Sequence, residues 1–301
     1  MDISSDSGST TKMRLLVTAF AFAAVGLSVL LARPAGAASV VNGRASLTAQ
    51  ADVSQNWAGY VATGPGSTST TASPNMNYTD VTGQWVQPKA VCTPGSPTSV
   101  AIWVGLGGYS ETSQELEQTG TSADCNEKGK ASYYLWYELV PANSVNIDSL
   151  KIRPGDVIAS VVKVNGTDVL VQVIDRSRKT RFTRHLTMAT PDLTSAEWIV
   201  EAPSECRESG FCSQLALTNF GSVNFTRSFA IGNNVPAAIS GSGWVTTALQ
   251  LVPRGHRFFG GENETSTSAG YGSAGAVPTA LSTDGAGFGI TWQANPALPV
   301  G

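Results

Sequence analysis

The chain has 301 residues, 42% hydrophobic and 14% charged, with 31 Gly, 15 Pro and a formal net charge of −3. That apolar content excludes a disordered chain, and the lack of a basic excess argues against a nucleic-acid partner. Low charge with abundant small polar residues points to many short strands joined by turns, in a chain long enough to bury a full core.

Lys12 and Arg14 precede an apolar run over residues 15–32, and Ala35-Gly36-Ala37 supplies a small-residue cleavage pattern. Residues 1–37 are expected to be a secretory signal peptide. An uncleaved anchor is the rival, because the run nears spanning length, but the Ala-x-Ala pattern favours export. Residues 38–54 read as a short pro-segment or flexible arm and 55–301 as one domain. The mature protein is expected to be secreted, extracellular, monomeric and free of the membrane. Four cysteines suit that compartment: Cys206 and Cys212 would clip a short loop, leaving Cys92 with Cys125, although sequence alone permits three connectivities.

In chain order, residues 56–61 open the ordered body as a strand, and residues 80–87 form the next, stopped by Pro88. Residues 99–106 are an apolar strand broken by the cluster Gly105-Leu106-Gly107-Gly108. Residues 113–118 alternate, with Leu116 and Gln118 on one face and Glu115 and Glu117 on the other, and Thr119-Gly120 ends them. Residues 132–140 place Tyr134, Trp136 and Glu138 on one face and Tyr133, Leu135, Tyr137 and Leu139 on the opposite one. Asn165-Gly166 turns a hairpin between residues 157–164 and 168–175, and residues 178–187 follow as an alternating strand. In Ala196-Glu197-Trp198-Ile199-Val200-Glu201, the two glutamates share a face while Trp198 and Val200 anchor the other in the core. Strands over 215–226, 244–252 and 288–293 complete the set, with 260–284 a Gly/Ser/Thr loop. No amphipathic helix stands out in the mature region, and the pattern predicts an all-β antiparallel β-sandwich.

The chemistry narrows by elimination. His185 and His256 sit in no ligand cluster and read as surface residues, so no metal is expected. There is no G-x-S-x-G elbow, and the cysteines read as paired, which leaves neither a serine elbow nor a thiolate nucleophile. No G-x-G-x-x-G opens a helix after a strand, so no dinucleotide cofactor is expected either. Carboxylates, amides and aromatic residues on strands remain. A lectin-like sugar-binding sandwich would use the same residue types.

Six stretches in order resemble the eqolisins, the secreted glutamic endopeptidases: Asn56-Trp57-Ala58-Gly59, Trp103-Val104-Gly105, Gln118-Thr119-Gly120, Trp136-Tyr137-Glu138, Glu197-Trp198-Ile199-Val200-Glu201 and Phe220-Gly221-Ser222-Val223. The resemblance implies two long antiparallel sheets (concanavalin-like), with a substrate groove on one concave face. It also implies a catalytic Gln–Glu pair at Gln118 and Glu201, acting on protein or peptide substrates with no cofactor, metal or covalent intermediate. Trp57, Trp103, Tyr134, Trp136 and Glu138 are the implied groove-lining or supporting residues, and the Cys206–Cys212 loop fits the family's layout. A free Glu titrates near ~4.3, which agrees with the family's acid action. Two departures qualify that: Gly107 and Tyr134 stand where the fungal members carry Asp, so a strongly acidic optimum is not expected.

Overall fold

The computed structural model describes residues 51–68, 70–72, 75–206, 212–253 and 273–297. The proposed leader, residues 38–50 of the arm, His256 and residues 260–272 of the expected loop lie outside the described residues. The strands are β1 (Asp52–Ser54), β2 (Trp57–Thr63), β3 (Tyr78–Val86), β4 (Thr98–Gly107), β5 (Leu116–Cys125) and β6 (Ala131–Val140). Next come β7 (Val145–Asn146), β8 (Val157–Asn165), β9 (Asp168–Asp175), β10 (Thr180–Thr187), β11 (Ser195–Glu201) and β12 (Ser204–Cys206). β13 (Cys212–Gln214), β14 (Ser222–Gly232), β15 (Val235–Ala238), β16 (Val245–Leu251), β17 (Gly275–Pro278) and β18 (Phe288–Gln293) complete the order. The described residues contain no helix.

Sixteen strands form one continuous curled sheet, and β12–β13 form a separate ribbon. One layer of the sandwich is β10-β9-β8-β3-β14; the other runs β18-β17-β16-β2-β11-β4-β5-β6-β7. β14 belongs to both: residues 222–225 pair with β18 and residues 226–232 with β3. Between them lies a register shift after Thr226, with Arg227 at φ 51°. A bulge bends and twists its strand, which is how one strand turns the corner between layers. Pairing is antiparallel except at β1, which lies parallel to β16.

Alternation along each strand fills two apolar clusters. Ala196, Trp198 and Val200 of β11 enter the core between the layers with Trp85, Leu135, Tyr137 and Phe225. Ile199 joins Trp57, Trp103, Leu116 and Trp136 on the outer face of the same layer. Buried indoles also tie the layers polarly: Trp198 Nε1 donates to Thr82 O at 2.8 Å and Trp85 Nε1 to Thr121 Oγ1 at 3.1 Å. Buried indole N–H groups need such partners, and apolar side chains of this size contribute roughly 1.5–3 kcal/mol each on burial.

The face assignments for β6 and β11 match the sequence pattern, and the Asn165-Gly166 hairpin forms around Gly166 at φ 62°. Five boundaries are corrected. β5 does not stop at Thr119-Gly120 but runs to Cys125, and β4 continues through Gly105 to Gly107. Residues 215–221 hold no strand, and within 260–284 the segment Gly275–Pro278 pairs with β16 and β18. Asp52–Ser54, placed by sequence in the arm, is part of the sheet. Cys92 and Cys125 are bonded, with Cα atoms 5.3 Å apart. Cys212 is disulfide-bonded and stands opposite Cys206 in the backbone register, while the Cys206 side chain lies outside the described set.

Candidate active site

Strand register puts every candidate residue on the outer face, in three adjacent rows. The first row crosses Trp57, Glu201, Ala101, Ser122 and Tyr134. The second crosses Gly59, Ile199, Trp103, Gly120 and Trp136, and the third Val61, Glu197, Gly105, Gln118 and Glu138. Directly opposed residues of an antiparallel pair project to the same side, so the rows share one surface. Gln118 and Glu201 thus share a face, with β4 between their strands and the Trp103 row between their own.

Glu201 is fully buried, at 0% exposure. Asn56 Nδ2 donates to its Oε1 at 3.3 Å and Trp103 Nε1 to its Oε2 at 2.9 Å. The Trp57 indole packs edge-on against Trp103, with centroids 5.1 Å apart, and brings its N–H near the carboxyl without hydrogen-bond geometry. Burial drives the Glu201 pKa up to about 8, against the pull of the Trp103, Trp57 and Asn56 donors. Desolvation disfavours the charged form, and donors aimed at the carboxylate only partly restore it.

Gln118 is equally buried; its Nε2 donates to Glu138 Oε2 at 2.8 Å, while its Oε1 has no hydrogen-bond partner. Since the amide has one acceptor end and one donor end, the Glu138 contact fixes which way it faces. The indole N–H groups of Trp57 and Trp136 are also unpartnered. Buried polar groups are normally paired, so an open carbonyl and two open donors on one face are groups suited to a peptide backbone or water.

The two departures from the expected acid pattern each meet an acid from elsewhere. A Cβ on Gly107 would lie 2.6 Å from Cβ of Asp192, so this later residue fills the space above the glycine. Asp192 accepts from Gly108 N at 3.2 Å, from the Ser113 hydroxyl, and from Thr194 N and Oγ1 at 2.9 and 2.7 Å. Half-buried Tyr134 hydrogen-bonds Asp124, whose carboxylate also accepts from Ser99 Oγ at 2.5 Å. Burial, and then the Asp124 charge, raise the Tyr134 phenol pKa.

Four contributors were not singled out from sequence. Asn56 opens the first motif, and that position was its only signal. Asp124 and Asp192 become relevant only once register is known. Glu197 had its face assigned but no role; it is fully buried, neither of its oxygens has a hydrogen-bond partner, and burial raises its pKa well above the ordinary value. The nearby Ser195 hydroxyl opposes that rise, and Asp192 and Glu117 add to it. His185, read as a surface residue, is exposed and pairs with Asp168 at 3.0 Å on the β9–β10 edge.

Residues 55–253 match the model of the Peptidase A4 family. The fold is similar to that of scytalido-glutamic peptidase, solved with a transition state analog inhibitor: TM-score 0.58, 18% identity, covering 79% of this chain and 98% of that one. It is also similar to SCP-B, a member of the eqolisin family of peptidases: TM-score 0.55, 17% identity, with the same coverage of each chain. Among curated proteins, none matches the sequence.

Proposed function

The chain belongs to the Peptidase A4 family, the eqolisins, and is a peptide hydrolase; from that premise we propose that it is an exported endopeptidase using Glu201 and Gln118 as its catalytic pair. The observation carrying this reading is that both side chains are buried on one face, with Glu201 gripped by two donors and Gln118 oriented by Glu138.

In this mechanism the Glu201 carboxylate takes a proton from water as the water oxygen bonds to the scissile carbonyl carbon. The C=O π electrons move to the carbonyl oxygen, where the Gln118 N–H not given to Glu138 stabilises the oxyanion. Gln118 Oε1 accepts from the same water and aims it. Collapse of the intermediate re-forms C=O and breaks the C–N bond, and Glu201 returns its proton to the leaving amine.

The carboxylate form carries the first step, so a pKa near 8 moves the working range away from strong acid. A mildly acidic range is the reading adopted. The test is digestion of a denatured protein from about pH 2 to about pH 8, a window spanning ordinary and raised carboxyl values, with chelator and pepstatin present. Cleavage should persist, falling about 100- to 10,000-fold in Glu201→Gln and about 100- to 1,000-fold in Gln118→Ala. Full activity in both variants defeats the assignment. No proteolysis at any pH, with saturable glycan binding lost in Trp136→Ala, replaces it with the sugar-binding reading.

A further inference from the structure

Glu197 stands on the outer face, yet its exposure is 0%. What covers this part of the face starts at the end of β4. Gly107 and Gly108 have φ of 80° and 85°, a left-handed pair that reverses the chain sharply and that side-chain-bearing residues adopt only with strain. The segment that follows, residues 108–115, is a compact strap. Gly108 N donates to Ser113 Oγ at 3.0 Å, Ser113 N to Ser110 O at 2.9 Å, and Ser113 Oγ to Glu115 O at 3.0 Å. Asp192 clasps its neck by accepting from both Gly108 N and the Ser113 hydroxyl.

Tyr109 leads out of this neck and is 6% exposed, within the apolar cluster that holds Trp57, Val61, Ile199 and Leu249. Its hydroxyl lies beside the Thr247 side chain. Thr247 lies opposite Val61, and Val61 opposite Glu197, so the phenol reaches from the end of β4 across β11 and β2 to β16. The ring therefore lies over the Ile199 and Glu197 rows, on the same face as Glu201 and Gln118.

We propose that Tyr109 is the specificity-determining residue of the groove: it fills an apolar subsite over Val61 and Leu249, so that this site accepts only small substrate side chains. This rests on the endopeptidase reading above and deepens it. Removing the ring leaves a pocket walled by Trp57, Val61, Ile199 and Leu249, which suits a large aliphatic or aromatic side chain. Hydrophobic pockets discriminate by roughly 10- to 200-fold per missing or added group.

The test compares synthetic peptides identical except for Ala, Leu or Phe at each position around the cleaved bond. Tyr109→Ala should raise kcat/KM for Leu or Phe relative to Ala at one position by roughly 10- to 100-fold. Tyr109→Phe, which keeps the ring and loses only the hydroxyl, should keep the wild-type preference. Tyr109→Leu serves in place of Tyr109→Ala should the latter not fold, and should give a smaller shift in the same direction. The same peptides are titrated by intrinsic tryptophan fluorescence against Glu201→Gln with and without the Tyr109 change. Absence of cleavage by the wild type counts against the endopeptidase reading alone, while binding still reports the preference. An unchanged order of side chains in both readouts, or no peptide binding in any variant, overturns the proposal.

Discussion

At the scale of single residues, Trp103 does two things for Glu201. Its ring packs with Trp57, and its N–H meets Oε2 at 2.9 Å. Trp103→Phe keeps much of the packing and removes the donor. A hydrogen bond to a charged group is worth about 1.5–3 kcal/mol, so the Glu201 pKa should rise further by about 1–2 units. The acid limb of kcat/KM should move to higher pH by that amount, with rates at mildly acidic pH falling about 10- to 100-fold. A pH–rate profile reads this directly, and an unmoved limb would show that Glu201 does not set it. The tryptophans were legible in the sequence because they sit inside motifs of a recognisable order. Asp124 and Asp192 were not, because each acts at a place set by register rather than by its own neighbours. Gly107 and Tyr134 stand where acids are expected, and Asp192 and Asp124 lie beside them, which no local pattern shows.

At the scale of elements, the correction to β5 has a steric cause. Local sequence makes Gly120 a terminator, but it lies opposite Trp103, and a Cβ there would come within 2.1 Å of Ile102 O and 2.7 Å of Trp103 Cβ. The glycine is needed because the Trp103 strand approaches closely, a reason that local propensity does not carry. Gly120→Ala should part β4 from β5 and cost about 1–3 kcal/mol or more in chemical denaturation, together with peptidase activity. The strap offers a second check. Asp192→Ala removes the shared acceptor of Gly108 N–H, Ser113 O–H and the Thr194 groups. Local opening free energy follows such buried contacts, so amide hydrogen exchange at Gly108 and Thr194 should accelerate while β8 and β9 stay protected. Equal protection in the variant would show that the clasp does not hold the strap.

At the scale of the whole molecule, the alternating strands made two sheets legible, while their fusion into one curled sheet was not. That depends on a bulge in β14 with Arg227 at φ 51°, and a single irregular residue leaves no periodic trace. Burial of acids was legible only in part, since Glu117 has the sequence look of a solvent-facing strand residue. It is instead fully buried, opposite Leu106 and Leu139. Burial and then the charges of Asp192 and Glu115 push its pKa from 4.5 up to about 9, partly offset by backbone donors. Glu197, also facing Asp192, and Glu201 are raised by burial too, and none of the three joins an ion pair among the described residues. A carboxyl whose folded pKa lies above its unfolded value favours the fold in its protonated form. The contribution is complete below the ordinary value and drains as pH climbs through the folded one. Stability should therefore be greatest in acid and decline between the ordinary 4.5 and the values of about 8 for Glu201 and about 9 for Glu117. Under the proposed mechanism this runs against the rising ionised fraction of Glu201, so activity and stability should bound the working range from opposite sides. Thermal unfolding across that range measures the slope. Glu117→Gln, which has no proton to lose, should match the wild type more closely in acid and exceed its Tm on the alkaline side. A wild-type Tm that stays level from acid to alkaline pH, or a variant that tracks it throughout, would mean that these carboxyls do not govern the stability of the fold.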